Sequence, residues 1–243
     1  MCGIFGFLDR QRNLTPGKAD ALAQGLAIGA MDRGEDASGY AILDQGDHIV
    51  INKKAVPASE LYIQTKRSPL LIGHTRYATM GNPNSDSQAH PFLSEDGSFA
   101  LTHNGVGTAD FKRLLKTMPF LAAEIDSQAM TKYIEKFGFH AAALADFLLA
   151  WKTSSAAISI LNRKAKSLVL FRNERNPLLL AETTCGILIY ASTPDIIETG
   201  CISADLRVKK LASIPPYERH ELFLSGEIKI SRLDLPIKRS ASF

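Results

Sequence analysis

Cysteine is scarce in this 243-residue chain. The three that occur, Cys2, Cys185 and Cys201, are odd in number and far apart, which argues against a disulfide framework and for a reducing compartment. Runs of one charge are missing too. "NKK", "VKK" and "IKR" are short and scattered, and the formal net charge is only +3, so no basic footprint for nucleic acid is present. The longest apolar stretch, "HAAALADFLLAW", is interrupted by Asp146 and is too short to span a bilayer. The N-terminus lacks the basic region and apolar stretch of a secretory signal, so a cytoplasmic protein without membrane contact is expected. Metal-ligand spacings such as CxxC or HExxH do not occur, and neither a metal nor a cofactor is implied.

What remains is an ordinary globular composition, 45% hydrophobic and 22% charged, with length enough for a sizeable core. "CGIFGFL" has the apolar run and close glycines of a buried strand. "LTPGKADALAQGLAIGAMDRG" reads as a helix with Thr15 as N-cap, Pro16 in the first turn and Gly34 as the stop. "SGYAILDQGDHIVINKKA" is two strands around a Gln-Gly-Asp turn. "LLIGHTRYATMG" and "SFALTHNGV" are apolar strands running into polar, glycine-containing ends. Helices are predicted at 108–118, 127–137 and 140–152. The last third reads as strands: "AAISILN", "SLVLFR", "PLLLAET", "GILIYAST" and "ELFLSGEIKISRL". Without repeats, low-complexity tracts or linkers, the pattern predicts one α+β domain with antiparallel sheets.

Four polar knots sit at the ends of these strands: "MCG", "GHTRYATMG", "THNG" and "EID". A strand end fixes the backbone while the loop exposes the side chain, a favoured arrangement for catalytic groups. Each knot has a plain structural reading: an early cysteine, a paired arginine, a tight Asn-Gly turn, a helix N-terminal acid. Taken together they suit nucleophilic acyl transfer. With Met1 removed, Cys2 carries both a thiol and a free α-amine, whose ordinary pKa of about 7.7–8.0 suits it to take the thiol proton. Asn104 and the Gly105 N–H suit an oxyanion hole. Arg76 suits a carboxylate and Asp126 an ammonium. A substrate with an α-carboxylate, an α-amine and a more distant acyl group is an amino acid with a side-chain amide, and L-glutamine fits.

"MCGIFGF", "MDRGEDASGYAIL", "IGHTRYATMGNPNSDSQAHPF", "LTHNGV" and "EIDSQ" occur in the order and approximate spacing of class II glutamine amidotransferases. The chain resembles the glutaminase domains of glucosamine-6-phosphate synthase and amidophosphoribosyltransferase. The resemblance implies the four-layer αββα sandwich of N-terminal nucleophile (Ntn) hydrolases. It also implies Cys2 as nucleophile, Asn104 and Gly105 as oxyanion hole, and Arg76 and Asp126 as the grips on the glutamine α-carboxylate and α-amine. Arg33 matches an arginine that orders the nucleophile's surroundings, and Thr79 lies in the glutamine loop. His74, His90 and His103 sit inside the motifs but are read as structural, and Cys185 and Cys201 as packing residues in apolar strands.

Tyr77, Met80 and Gln128 stand where the family often has Trp, His and Glu; none is a proposed catalytic group. The expectation is a single glutaminase domain over residues 1–243 with no synthase domain in the chain. It would release glutamate and ammonia, the latter for an acceptor on a separate synthase-like partner protein. The alternative is a free-standing Ntn-type amidohydrolase acting on another amide, which would keep Cys2, Asn104 and Gly105 but need not use Arg76 and Asp126 together.

Overall fold

The computed structural model describes residues 1–107, 113, 116–140, 142–144 and 155–233. Its thirteen strands form two antiparallel sheets. In the first, β1 (Gly3–Leu8) is flanked by β4 (Leu70–Arg76) and β10 (Leu188–Ala191). Outside these lie β2 (Ala37–Leu43) and β3 (Ile49–Lys54) on one side, and β9 (Leu179–Thr183) and β11 (Val208–Ser213) on the other. The second sheet runs β13 (Ile228–Arg232), β12 (Glu218–Phe223), β8 (Ser167–Arg172), β7 (Ser155–Asn162), β6 (Phe99–Val106) and β5 (Phe92–Leu93).

β1 shows why the sheets stack. All six of its residues are buried, and side chains alternate between the two faces of a strand. Ile4 and Leu8 pack between the sheets with Ile72, Ala157, Leu161 and Leu170. Phe5 and Phe7 turn outward onto helices α1 (Pro16–Gly29) and α3 (Pro194–Ser203) through Leu22, Leu26, Ile197 and Cys201. On the far face of the second sheet, Phe99, Ile158 and Phe171 meet helix α2 (Asp126–Phe137) through Met130, Tyr133 and Ile134. The i, i+4 stripe of each helix faces its sheet, so burial of these stripes, about 1.5–3 kcal/mol for each large side chain, holds the layers together. The order is helix, sheet, sheet, helix, as the resemblance implies.

Several sequence readings are refined. Thr15 caps α1, accepting from the Lys18 N–H, but the helix ends at Gly29, and a short 3-10 turn over Met31–Arg33 separates it from Gly34. Residues 194–203, not assigned as helix from the sequence, form α3. Cys201 therefore packs from a helix and not from a strand, while Cys185 is exposed in the turn between β9 and β10. β11 was also missed: all six of its residues are exposed on a sheet edge, with no apolar alternation to betray them. The helix predicted at 127–137 is α2. Those at 108–118 and 140–152 fall largely outside the described residues. Among the described residues no helix is long and apolar enough to cross a membrane.

Candidate active site

Antiparallel pairing builds the site. Gly3 of β1 lies opposite Thr75 of β4, so Cys2, one residue before β1, comes to rest beside Arg76 and Tyr77. The Tyr77 N–H donates to Cys2 Sγ at 3.4 Å, and the thiol donates to the Tyr77 carbonyl at 3.6 Å. Arg33 reaches in from the turn after α1, its Nε–H donating to the Cys2 carbonyl at 2.8 Å. Burial pushes the Cys2 thiol above its ordinary pKa. The Tyr77 N–H, the chain's amino terminus and Arg76 pull it back down, while Asp126 raises it further. The thiol is therefore protonated near neutral pH and needs a base before it can attack.

Asn104 and Gly105 lie in β6, opposite Ala157 and Ala156 of β7, with the ladder continuing through Val106. "HNG" is thus a strand segment and not a tight turn. A Cβ on residue 105 would fall 1.9 Å from the Ser155 carbonyl oxygen, so only glycine permits that pairing. The Asn104 Nδ2 is buried without a hydrogen-bond partner, while its carbonyl accepts from Asn176 Nδ2 at 2.5 Å. An amide N–H₂ held this way is an unspent donor. Asp126, the first residue of α2, accepts from the Gly107 N–H at 2.8 Å and from the Ser127 N–H at 2.8 Å. A carboxylate has about four lone-pair sites, so Asp126 retains capacity for an ammonium.

Cys2, Arg76, Thr79, Gly105 and Asp126 line one narrow cleft of about 20 Å³. Asn104 is buried next to Gly105, and Arg33 stands behind Cys2. All seven sequence-predicted residues therefore belong to one neighbourhood. A roomier hollow of about 340 Å³, lined by Asp9, Arg12 and Arg67 among others, lies at the other end of β1 and includes none of the seven. Among the described residues no group of three His, Cys, Asp or Glu side chains is placed to hold a metal ion.

The three motif histidines are buried, His90 and His103 in the lining of the cleft and His74 behind them. The rings of His74 and His90 stack at 3.9 Å, and His74 Nε2 donates to the His103 carbonyl at 3.1 Å, tying β4 of one sheet to β6 of the other. His103 Nδ1 lies 3.0 Å from the Ser127 hydroxyl. Burial holds His74 down to about 3 and His90 and His103 below the ordinary imidazole value.

Some supporting residues were not legible in the sequence. Asp36 accepts the Ala78 N–H at 2.7 Å and so braces the glutamine loop. Asn176 holds the Asn104 backbone through its Nδ2. Gln88 lay unremarked within a motif. Each acts through a contact distant in sequence, for which no local signal exists.

Two sheets between helical layers, with a thiol at the head of a central strand, define an Ntn-hydrolase fold. No family model matches the chain. It is 27% identical over 248 residues to the glutamine–fructose-6-phosphate aminotransferase (isomerizing) of Chlamydia muridarum, covering 98% of this chain and 37% of the relative. To the same enzyme of Halalkalibacterium halodurans it is 31% identical over 199 residues, 79% of this chain and 32% of the relative. Among solved structures, the Bacillus subtilis glutamine phosphoribosylpyrophosphate amidotransferase complexed with ADP and GMP superposes with a TM-score of 0.71 at 17% identity, covering 96% of this chain and 49% of that one. A structure described as the allosteric regulatory enzyme of purine biosynthesis gives a TM-score of 0.73 at 19% identity, covering 98% and 50%. The chain belongs with the class II glutamine amidotransferases and matches their glutaminase region. It spans about a third of the length of the curated relatives it matches.

Proposed function

We propose that this chain is a glutaminase that releases ammonia from the side-chain amide of L-glutamine through a thioester on Cys2. The observation that carries this reading is the meeting of Cys2, Arg76, Asp126 and Gly105 in one cleft. In the proposed cycle Met1 is absent and the Cys2 α-amine takes the thiol proton. Cys2 Sγ then attacks the amide carbon, and the Asn104 Nδ2–H and Gly105 N–H hold the oxyanion. The C–N bond breaks as the ammonium of Cys2 returns its proton to the departing nitrogen. Water next attacks the γ-glutamyl thioester, the C–S bond breaks, and glutamate leaves with the thiol restored. Arg33, bonded to the Cys2 carbonyl, keeps the nucleophile's backbone in place.

The charged pair separates glutamine from other amides. Arg76 spends two of its five N–H groups on the Met80 and Asn82 carbonyls, at 2.7 and 3.0 Å, leaving others for a substrate carboxylate. Removing either charge, by Arg76→Ala or Asp126→Asn, should raise KM for glutamine at least about thirtyfold, the low end of the cost of leaving a desolvated charge without its partner. Steady-state ammonia release measures this. Unchanged glutamine kinetics in both variants would favour an amidohydrolase of another amide.

We further propose that residues 1–243 act as a single glutaminase domain in the cytoplasm, supported by three free cysteines. The ammonia acceptor is assigned to a separate partner protein. Tyr77 and Val106, exposed apolar residues directly after Arg76 and Gly105, support a covered rim at the cleft. Turnover should then rise when an acceptor-bearing protein is added; constant turnover with every candidate would defeat the partner assignment.

A further inference from the structure

We infer that Gln88 is a positioning residue that locks the two halves of the amino-acid clamp at a fixed separation. The inference rests on the glutaminase reading and deepens it. Gln88 is buried on a segment anchored to β3, where Lys53 Nζ donates to the Ala89 carbonyl at 2.7 Å and to the Pro91 carbonyl at 3.2 Å. On the other side of that segment the Asp86 carboxylate accepts the Ala55 N–H at 2.7 Å. From this base the Gln88 amide reaches both ways. Its Oε1 accepts the Asn82 N–H at 2.6 Å, and its Nε2 donates to Glu124 Oε2 at 2.7 Å.

Each end of that bridge leads to one grip. Asn82 carries the carbonyl that Arg76 holds, so Gln88, bonded to the N–H of the same residue, restrains the backbone on which the guanidinium rests. Glu124 stands two residues before Asp126, and its N–H donates to Gln128 Oε1 at 3.0 Å, which ties it to the first turn of α2. A continuous chain of hydrogen bonds therefore runs from Arg76 through Asn82, Gln88 and Glu124 to the helix that begins at Asp126. The contact is close enough to dictate its neighbour: Gly81 has φ +80, and a Cβ there would lie 2.1 Å from Gln88 Oε1. An amide suits position 88, since its oxygen accepts from a peptide N–H while its N–H₂ donates to a carboxylate.

The test exchanges the donor and acceptor roles. Gln88→Glu sets a carboxylate against Glu124. It should raise KM for glutamine about tenfold with kcat little changed, the scale of losing one hydrogen bond to a charged group. Adding Glu124→Gln returns a donor across the gap, so the double variant should recover most of the wild-type KM. Alkylation of Cys2 by iodoacetamide, which carries neither substrate charge, should proceed at the same rate in all forms. Amide hydrogen exchange of residues 79–82 reads the lock without substrate: faster in Gln88→Glu, restored in the double variant. A wild-type KM in Gln88→Glu, or exchange that the single variant leaves unchanged, would overturn the inference. So would a double variant no better than the single. A wild type unable to hydrolyse glutamine would instead defeat the glutaminase reading, and with it the effect on KM, while exchange would still decide whether the lock exists.

Discussion

Replacing Cys2 with alanine is expected to abolish ammonia release from glutamine while leaving the fold intact. The side chain makes only long sulfur contacts to the Tyr77 backbone, and the residue is half-buried, so its removal opens no large core cavity. No other described thiol can substitute: Cys185 is exposed in the turn after β9 and Cys201 is enclosed by the α1–α3 layer. Losing a covalent nucleophile costs on the order of 10⁴–10⁶ in kcat where oxyanion and binding groups survive. Rapid-quench or steady-state assays of purified Cys2→Ala, beside a thermal melt, check the prediction. A variant that melts like wild type and keeps more than about a hundredth of its turnover would remove Cys2 from the chemistry.

The second large effect is acid lability. His74, His90 and His103 are neutral in the fold because burial penalises their charged forms; for His90 and His74 the neighbouring Arg76 adds to that penalty, and for His90 Lys53 does as well. Asp126 acts in the opposite direction on His103. The sign follows from proton counting. An imidazole held at about 3 in the folded state titrates near 6.5 when unfolded, so between these values the unfolded chain binds more protons. Stability is fully present above about pH 6.5 and falls as pH drops toward 3, by roughly 4–5 kcal/mol from His74 alone. That is comparable to the whole stability of many domains. Urea titrations at pH 7 and pH 5 should show the loss begin, about 2 kcal/mol from His74, with His90 and His103 acting in the same direction. Equal midpoints at the two pH values would contradict the neutral burial of this cluster.

These histidines show what the sequence carries and what it leaves out. Their structural role was legible because an N-terminal cysteine with its own α-amine requires no histidine base. The hydrogen bond from His74 to the His103 carbonyl was not, because β4 and β6 meet only through the sandwich. The same division runs through the site. Cys2, Arg76, Asn104, Gly105 and Asp126 stand in short motifs whose residue types already state a chemistry. Gln88, Asn176 and Asp36 owe their parts to partners at 82 and 124, at 104, and at 78, separations that no periodicity reports. In the fold, alternation and apolar runs marked the buried strands. They failed at α3, where "YASTPDIIETGCIS" follows a strand without a pause and only Thr193-Pro194 marks the start, and at the exposed edge strand β11.

The most direct test of an N-terminal cysteine glutaminase is peptide mapping by mass spectrometry after inactivation with a glutamine-mimicking diazo-ketone. The account predicts a single adduct on the Cys2 thiol, in a peptide whose first residue is Cys2, and protection by excess glutamine. An adduct on Cys185 or Cys201 with Cys2 unmodified, or full turnover by protein that retains Met1, would contradict it.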